Sequence, residues 1–174
     1  MNAAVAPVRY MISEAEYVEA ATHANARGAW RVAAVVTAFA LLVALLKPQF
    51  QVAILCGMVL GLALTAFKVM FLLPRRAAQI YHAQASMREP FELALTDEQF
   101  ESAQRSGSFR NAWTDFVKWD ETANMLLLYV DKAMFVSLPK AQVGTANLAF
   151  IRARLAATGL EQRNRSRKPE DRKP

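Results

Sequence analysis

The side chains able to do chemistry are few and scattered. His23 and His82 are the only histidines, and neither belongs to a cluster with the ligand spacing of a metal site, so each reads as a surface or interfacial helix residue. Cys56 is the only cysteine and has no partner for a disulfide or a metal; it reads as a small apolar residue. Asp97-Glu98 is a carboxylate pair by type, but it falls in a turn, where polar residues belong anyway. No glycine-rich phosphate loop, nucleophile elbow or Ser-His-Asp order occurs. The reading is a non-enzyme with no catalytic residue, no cofactor and no metal.

Trp113, Trp119 and Lys140 are the residues whose types fit recognition. Aromatic faces beside an ammonium group make a groove for a peptide or a lipid headgroup. The competing reading, which the small size of the domain favours, puts both tryptophans in its core and leaves Lys140 solvated after a strand. Arg75 and Arg76 suit lipid headgroups.

The elements that position these residues begin with two uncharged apolar runs, Val32–Leu46 and Val52–Phe67, separated by Lys47-Pro48-Gln49-Phe50-Gln51. A membrane helix needs about 20 apolar residues. Snorkelling Arg31 and Lys68 extend the runs to Ala29–Leu46 and Val52–Leu73, which are adequate spans. Each run is apolar on every side, interrupted only by Thr37 in the first and by Cys56 and Thr65 in the second. A soluble helix shows a polar face, so the pair predicts a transmembrane hairpin. Gly57 and Gly61, with Ala53 and Thr65 continuing the spacing, form a small-residue face that allows close helix packing, against the first span or against a second copy in a homo-oligomer.

Basic residues orient the hairpin. Arg9, Arg27 and Arg31 precede the first span, Lys68, Arg75, Arg76 and Arg88 follow or end the second, and only Lys47 lies between. Positive residues stay inside, which predicts a multi-pass membrane protein with both termini cytoplasmic. Trp30 and Phe50 suit the two interfaces.

Pro74 ends or kinks the second span, and Arg75–Met87 reads as a helix with Ile80, Ala83 and Met87 on one side. From Pro90 the pattern turns to strands: Phe91–Leu95 alternates, Gln99–Arg105 and Phe109–Ala112 follow turns at 96–98 and 106–108, Met125–Val130 reads as a central strand, and Asp131-Lys132-Ala133 returns the chain into Met134–Leu138. Pro139 stops that strand. A helix over Thr145–Thr158 buries Leu148, Ile151 and Leu155 and is capped by Gly159. Upstream, Val5–Ile12 reads as a strand free to join the later sheet, and Ser13-Glu14-Ala15-Glu16 has capping-box spacing for a helix to about Asn25.

The order of parts resembles the YcxB-like family of bacterial membrane proteins. The residues that carry the resemblance are Tyr10-Met11-Ile12-Ser13-Glu14-Ala15-Glu16-Tyr17, Phe91-Glu92-Leu93-Ala94-Leu95-Thr96-Asp97-Glu98, Trp113-Thr114-Asp115-Phe116-Val117-Lys118 and Phe135-Val136-Ser137-Leu138-Pro139-Lys140. It implies two membrane helices followed by a small pleckstrin-homology-like domain, and it implies no activity, cofactor or substrate.

The expected fold is an α+β membrane protein. Residues 1–28 are a cytoplasmic strand and helix, and 29–73 the transmembrane hairpin. Residues 74–159 form a small antiparallel β-sheet or barrel domain with a C-terminal helix, and 160–174 a disordered basic tail holding half of the net charge of +6. The expected role is non-enzymatic, with the cytoplasmic domain binding a protein partner or organising a membrane complex. The alternative is a lipid-sensing or membrane-shaping module that binds anionic headgroups. Membrane lipids are expected partners. Nucleic acid is not, since the tail has no aromatics to stack bases.

Overall fold

The computed structural model describes residues 5–131 and 134–160. The expected basic tail from Glu161 onward, and the turn residues Lys132 and Ala133, lie outside the described residues. The fold is α+β and divides into two compact units, Met1–Glu16 with Gln84–Pro174, and Tyr17–Ala83.

The helical unit is a hairpin with two arms. Helix α1 (Glu14–Leu46) starts at the expected capping box: the Ser13 N–H donates to Glu16 Oε2 at 2.8 Å and the Glu16 N–H to Ser13 Oγ at 3.4 Å. The helix does not stop near Asn25 but continues to Leu46 as one element of 33 residues. No proline interrupts this alanine-rich stretch, and a lone Gly28 costs only about 1 kcal/mol. A single 3₁₀ turn, Pro48–Phe50, reverses the chain. The returning arm comprises α2 (Gln51–Phe67), a π-helical turn (Lys68–Leu72) and α3 (Leu73–Ala83).

The π turn answers Pro74. Proline has no N–H to donate, and its ring crowds the carbonyl four residues back, here that of Met70. Widening the preceding turn relieves that crowding without ending the helix. The expected helix over Arg75–Met87 stops at Ala83, and a 3₁₀ turn over Ala85–Arg88 follows. Its buried side is also corrected: Ala77 and Tyr81, one α-turn apart, are buried, whereas Ile80 is 44% exposed. The two arms meet at both ends. Near the reversal the Gln51 amide donates to the Ala44 carbonyl at 3.5 Å, and at the far end the rings of Tyr17 and Tyr81 lie 6.0 Å apart.

The second unit is built on two antiparallel sheets rather than one. The first has the order β1 (Val5–Tyr10), β2 (Phe91–Leu95), β3 (Gln99–Gln104), β4 (Gly107–Ala112). The N-terminal strand does join the later sheet. Tyr10 stands opposite Phe91, Arg9 opposite Glu92 and Val8 opposite Leu93, and the register shifts between Val8 and the Val5–Leu95 pair. Leu93 and Leu95 are buried and Glu92 exposed, as their alternation dictates.

A 3₁₀ turn, Trp113–Asp115, leads to the second sheet, whose order is β5 (Lys118–Glu121), β6 (Met125–Tyr129), β7 (Phe135–Pro139). Strand β6 is central, and all five of its residues are buried; consecutive side chains point to opposite faces, so it is covered on both. Pro139 is the last residue of β7 and opens helix α4 (Lys140–Val143). Gly144, at φ +82°, joins it to α5 (Thr145–Ala157), which buries Leu148, Ile151 and Leu155 as expected.

Helix α5 ends in the expected left-handed cap. Gly159 has φ +75°, its N–H donates to the Ala156 carbonyl at 3.0 Å, and the Leu160 N–H donates to the Leu155 carbonyl at 3.2 Å. This is the paired 5→2 and 6→1 bonding of a Schellman motif. A Cβ at Gly159 meets open space, so replacing it isolates the cost of the backbone conformation. Gly159→Ala is expected to destabilise the sheet unit by about 1 kcal/mol, lowering its melting temperature by a few degrees. Thermal denaturation of the purified chain followed by tryptophan fluorescence checks this.

Candidate functional site

Trp113, Trp119 and Lys140 do not converge on one groove. Trp113 is buried where the two sheets are joined, 6.1 Å from Phe100, 6.2 Å from Phe116 and 6.3 Å from Phe150, and its indole N–H donates to the Thr96 carbonyl at 3.0 Å. Trp119 is buried on β5 and donates to the Leu160 carbonyl at 3.2 Å, tying that strand to the residue after the α5 cap. A buried tryptophan needs a partner for its one donor, and both have found theirs inside the domain.

Lys140 is half-buried and belongs to an ionic cluster that sequence reading missed. Its ammonium lies 2.8 Å from Glu121 Oε2 and donates to the Thr122 carbonyl at 2.7 Å. Arg152 of α5 clamps the same carboxylate with both ends of its fork, Nε to Oε1 at 2.7 Å and Nη2 to Oε2 at 3.1 Å. Burial pushes the Glu121 carboxyl up, but the hydrogen bonds and charges of Arg152 and Lys140 outweigh it and hold the group below its ordinary value. Arg152 is raised in turn by its bond to Glu121. The cluster joins β5, α4 and α5. Its members stand at 121, 140 and 152, a spacing that no local pattern reveals.

The Asp97 carboxylate is also engaged in structure, pairing with Arg154 of α5; at Glu98 it is the backbone carbonyl that is bonded, accepting from the Trp113 N–H at 3.4 Å. Among the described residues no group of three or more His, Cys, Asp or Glu is placed to hold a metal ion.

In the helical unit Arg75 and Arg76 are exposed on α3. Gly57 and Gly61 face α1 without packing against it, and a Cβ built on either meets nothing within 4 Å. They line an open cleft of about 720 Å³ between the arms, together with Gly28, Ala33, Ala40 and, toward the Tyr17–Tyr81 end, Asn25 and Lys68.

Because the folded Glu121 carboxyl sits below its ordinary value of 4.5, its contribution to stability is present above that value and is lost as pH falls through the folded one. Glu121→Gln is expected to cost about 1–2 kcal/mol at neutral pH, the half-exposed Arg152 limiting the figure. It is also expected to flatten the acid loss of stability that wild type undergoes below about pH 5. Urea unfolding at neutral and acid pH measures both effects.

The family model described as YcxB-like protein matches residues 95–153, from the last residue of β2 into α5. No curated protein and no solved structure matches the chain. The match contains the Trp113–Lys118 and Phe135–Lys140 stretches that carried the resemblance, and every member of the Glu121 cluster. Residues 95–153 are thus similar to the YcxB-like family.

Proposed function

We propose that the protein is a non-enzymatic, membrane-anchored binding module. The helical arms hold it in the bacterial inner (plasma) membrane, and the sheet unit, on the cytoplasmic face with both termini, binds a protein partner or organises a membrane complex. The observation that carries this reading is the apolar surface turned outward on all sides of both arms: Val35 is 70% exposed, Phe39 66%, Leu45 78%, Val52 77% and Val59 68%. Each arm contains an 18-residue window of mean hydropathy 2.2, of which only 6% and 0% is buried within the protein. A core helix would be covered. In water such a surface drives aggregation, whereas hydrocarbon satisfies it, because the helical backbone bonds are already made.

At 33 residues each arm reaches roughly 50 Å, about 20 Å more than the hydrocarbon thickness. The surplus falls on the basic side, at Arg27 and at Arg75-Arg76, which supports the orientation. Two antiparallel sheets of four and three strands with a C-terminal helix support the pleckstrin-homology-like reading of the sheet unit. The binding role is favoured because Trp113, Trp119, Lys140 and Asp97 are spent on internal bonds, which leaves the exterior of the domain as its working surface. A second reading, recognition of anionic headgroups, is favoured by the exposed Arg75-Arg76 pair.

Reporter fusions between Pro48 and Gln51 are expected to be active only outside the cytoplasm; a cytoplasmic signal overturns the orientation. Cross-linking of the full chain in native membranes, read by mass spectrometry, is expected to return a reproducible partner joined through residues of the sheet unit. Recovery of abundant bystanders alone counts against the binding role.

A further inference from the structure

We propose that the cleft between the two arms holds an acyl chain of one anionic phospholipid, with the lipid phosphate on Lys68. The proposal rests on the membrane reading given above and adds a specific ligand to it. The arms touch near the reversal, at Ala44 and Gln51, and again at Tyr17 and Tyr81. Between these contacts the small residues Gly28, Ala33, Gly57 and Gly61 leave the cleft open. In a bilayer an apolar opening of this size fills with hydrocarbon, so the question is which hydrocarbon.

Size decides between a lipid chain and a protein helix. From Ile54 to Lys68 the cleft runs for about 21 Å at the helical rise. Spread over that length, about 720 Å³ leaves a mean cross-section of about 35 Å². A helix 10–12 Å across needs about 80–110 Å². A helix from a second copy is therefore too thick to enter the cleft to its full depth, while a polymethylene chain, one carbon wide, fits along it. The volume is also that of a single-ligand site.

Charge decides the headgroup. Thr37 and Thr65 are uncharged, and the one charged side chain in the lining is Lys68, at the end where Asn25 also lies; Lys68 has no carboxylate partner among the described residues. The Asn25 amide gives one N–H to the Ala21 carbonyl at 2.7 Å, and Lys68 is the charged donor for a phosphate. Arg31, Arg75 and Arg76 flank the same end, and anionic lipid is concentrated in the cytoplasmic leaflet toward which that end is oriented. The nearest acidic side chain along α1, Glu19, lies about 9 Å further from the bilayer than Asn25 by helical rise.

The test uses the full chain in nanodiscs of phosphatidylglycerol and phosphatidylcholine in equal parts, released into a native mass spectrometer. Wild type is expected to retain a single phospholipid, with phosphatidylglycerol favoured about fivefold. Lys68→Gln is expected to keep the adduct and lose the preference. The double variant Gly57→Leu with Gly61→Leu, which fills open space rather than colliding with a neighbour, is expected to lose the adduct. Retention of lipid by the filled variant, an unchanged preference in Lys68→Gln, or a lipid-free wild type overturns the proposal. So does a wild-type dimer without lipid, which would assign the cleft to a second copy. Alkaline carbonate extraction separates the two levels: a chain that stays in the membrane pellet but carries no lipid sinks only this proposal, whereas a chain released into the supernatant sinks the membrane reading as well.

Discussion

The pairing of β1 with β2 is the constraint on which the rest of the structure depends. Arg9 and Glu92 stand opposite each other and bond at 2.7 Å although they are 83 positions apart. Closing an excursion of that length costs roughly 4 kcal/mol in chain entropy if the intervening chain is flexible. Here it is two helical arms of 33 residues that fold back on one another. An excursion that leaves and rejoins the same sheet has to come back as far as it went out, and equal arms do so. The junction is then reinforced by contacts no isolated strand could have. Tyr10 stacks on Phe91 at 5.2 Å and shares a 3.2 Å hydrogen bond with Ser102, and burial raises its hydroxyl to about 12 against the opposing effect of that bond. The Gln142 side chain gives and takes a 2.8 Å hydrogen bond with the backbone of Met11. Strand β1 has no partner until β2 has been synthesised, so the sheet closes only after the hairpin has been made.

The polar chemistry of the sheet unit serves the same end. A small domain has few large side chains with which to fill two sheets and a helix, and it uses aromatic ones that carry a single donor. Trp113 spends its donor on the turn before β3, and Trp119 on the end of α5. Two sets of charged residues near the interior are paired across elements, Glu121 with Lys140 and Arg152, and Asp97 with Arg154. Removing one partner from such a set leaves an uncompensated charge, so these groups define how α4 and α5 meet the strands. They are positioning groups within a fold, and their identities say little about what the fold binds.

Much of the fold was legible because its signals are local. Leu93 and Leu95 alternate with Glu92, the five apolar residues from Met125 announce a strand covered on both faces, Ser13 and Glu16 stand three apart at a helix start, and Gly159 follows the last helical turn. The misreadings share the opposite cause. The continuation of α1 through Gly28 depends on the absence of any strong stop, which a search for start and stop signals passes over. The π turn depends on Pro74 acting on a carbonyl four residues earlier, within a helix long enough to absorb it. On α3 periodicity groups Ile80 with Ala83 and Met87 on one side, whereas burial follows the neighbour available to Tyr81, the ring of Tyr17 on the other arm. The Glu121 cluster could be found only once three distant segments had been brought together.

The hairpin separates two properties that small residues usually carry together. Glycines four apart let helices approach closely, and between helices in lipid there is little else to draw them together, since the surrounding chains are as apolar as the helices themselves. Gly57 and Gly61 grant that permission, yet the arms are pinned at the reversal by Ala44 and Gln51 and at the other end by Tyr17 and Tyr81. With both ends fixed, the middle can close only if a helix bends, and Thr65, which donates to the Gly61 carbonyl at 2.9 Å, holds the local turn in its own geometry. A small-residue face between two fixed contacts therefore produces an opening between the arms rather than contact between them. What the glycines contribute to this hairpin is the space they leave.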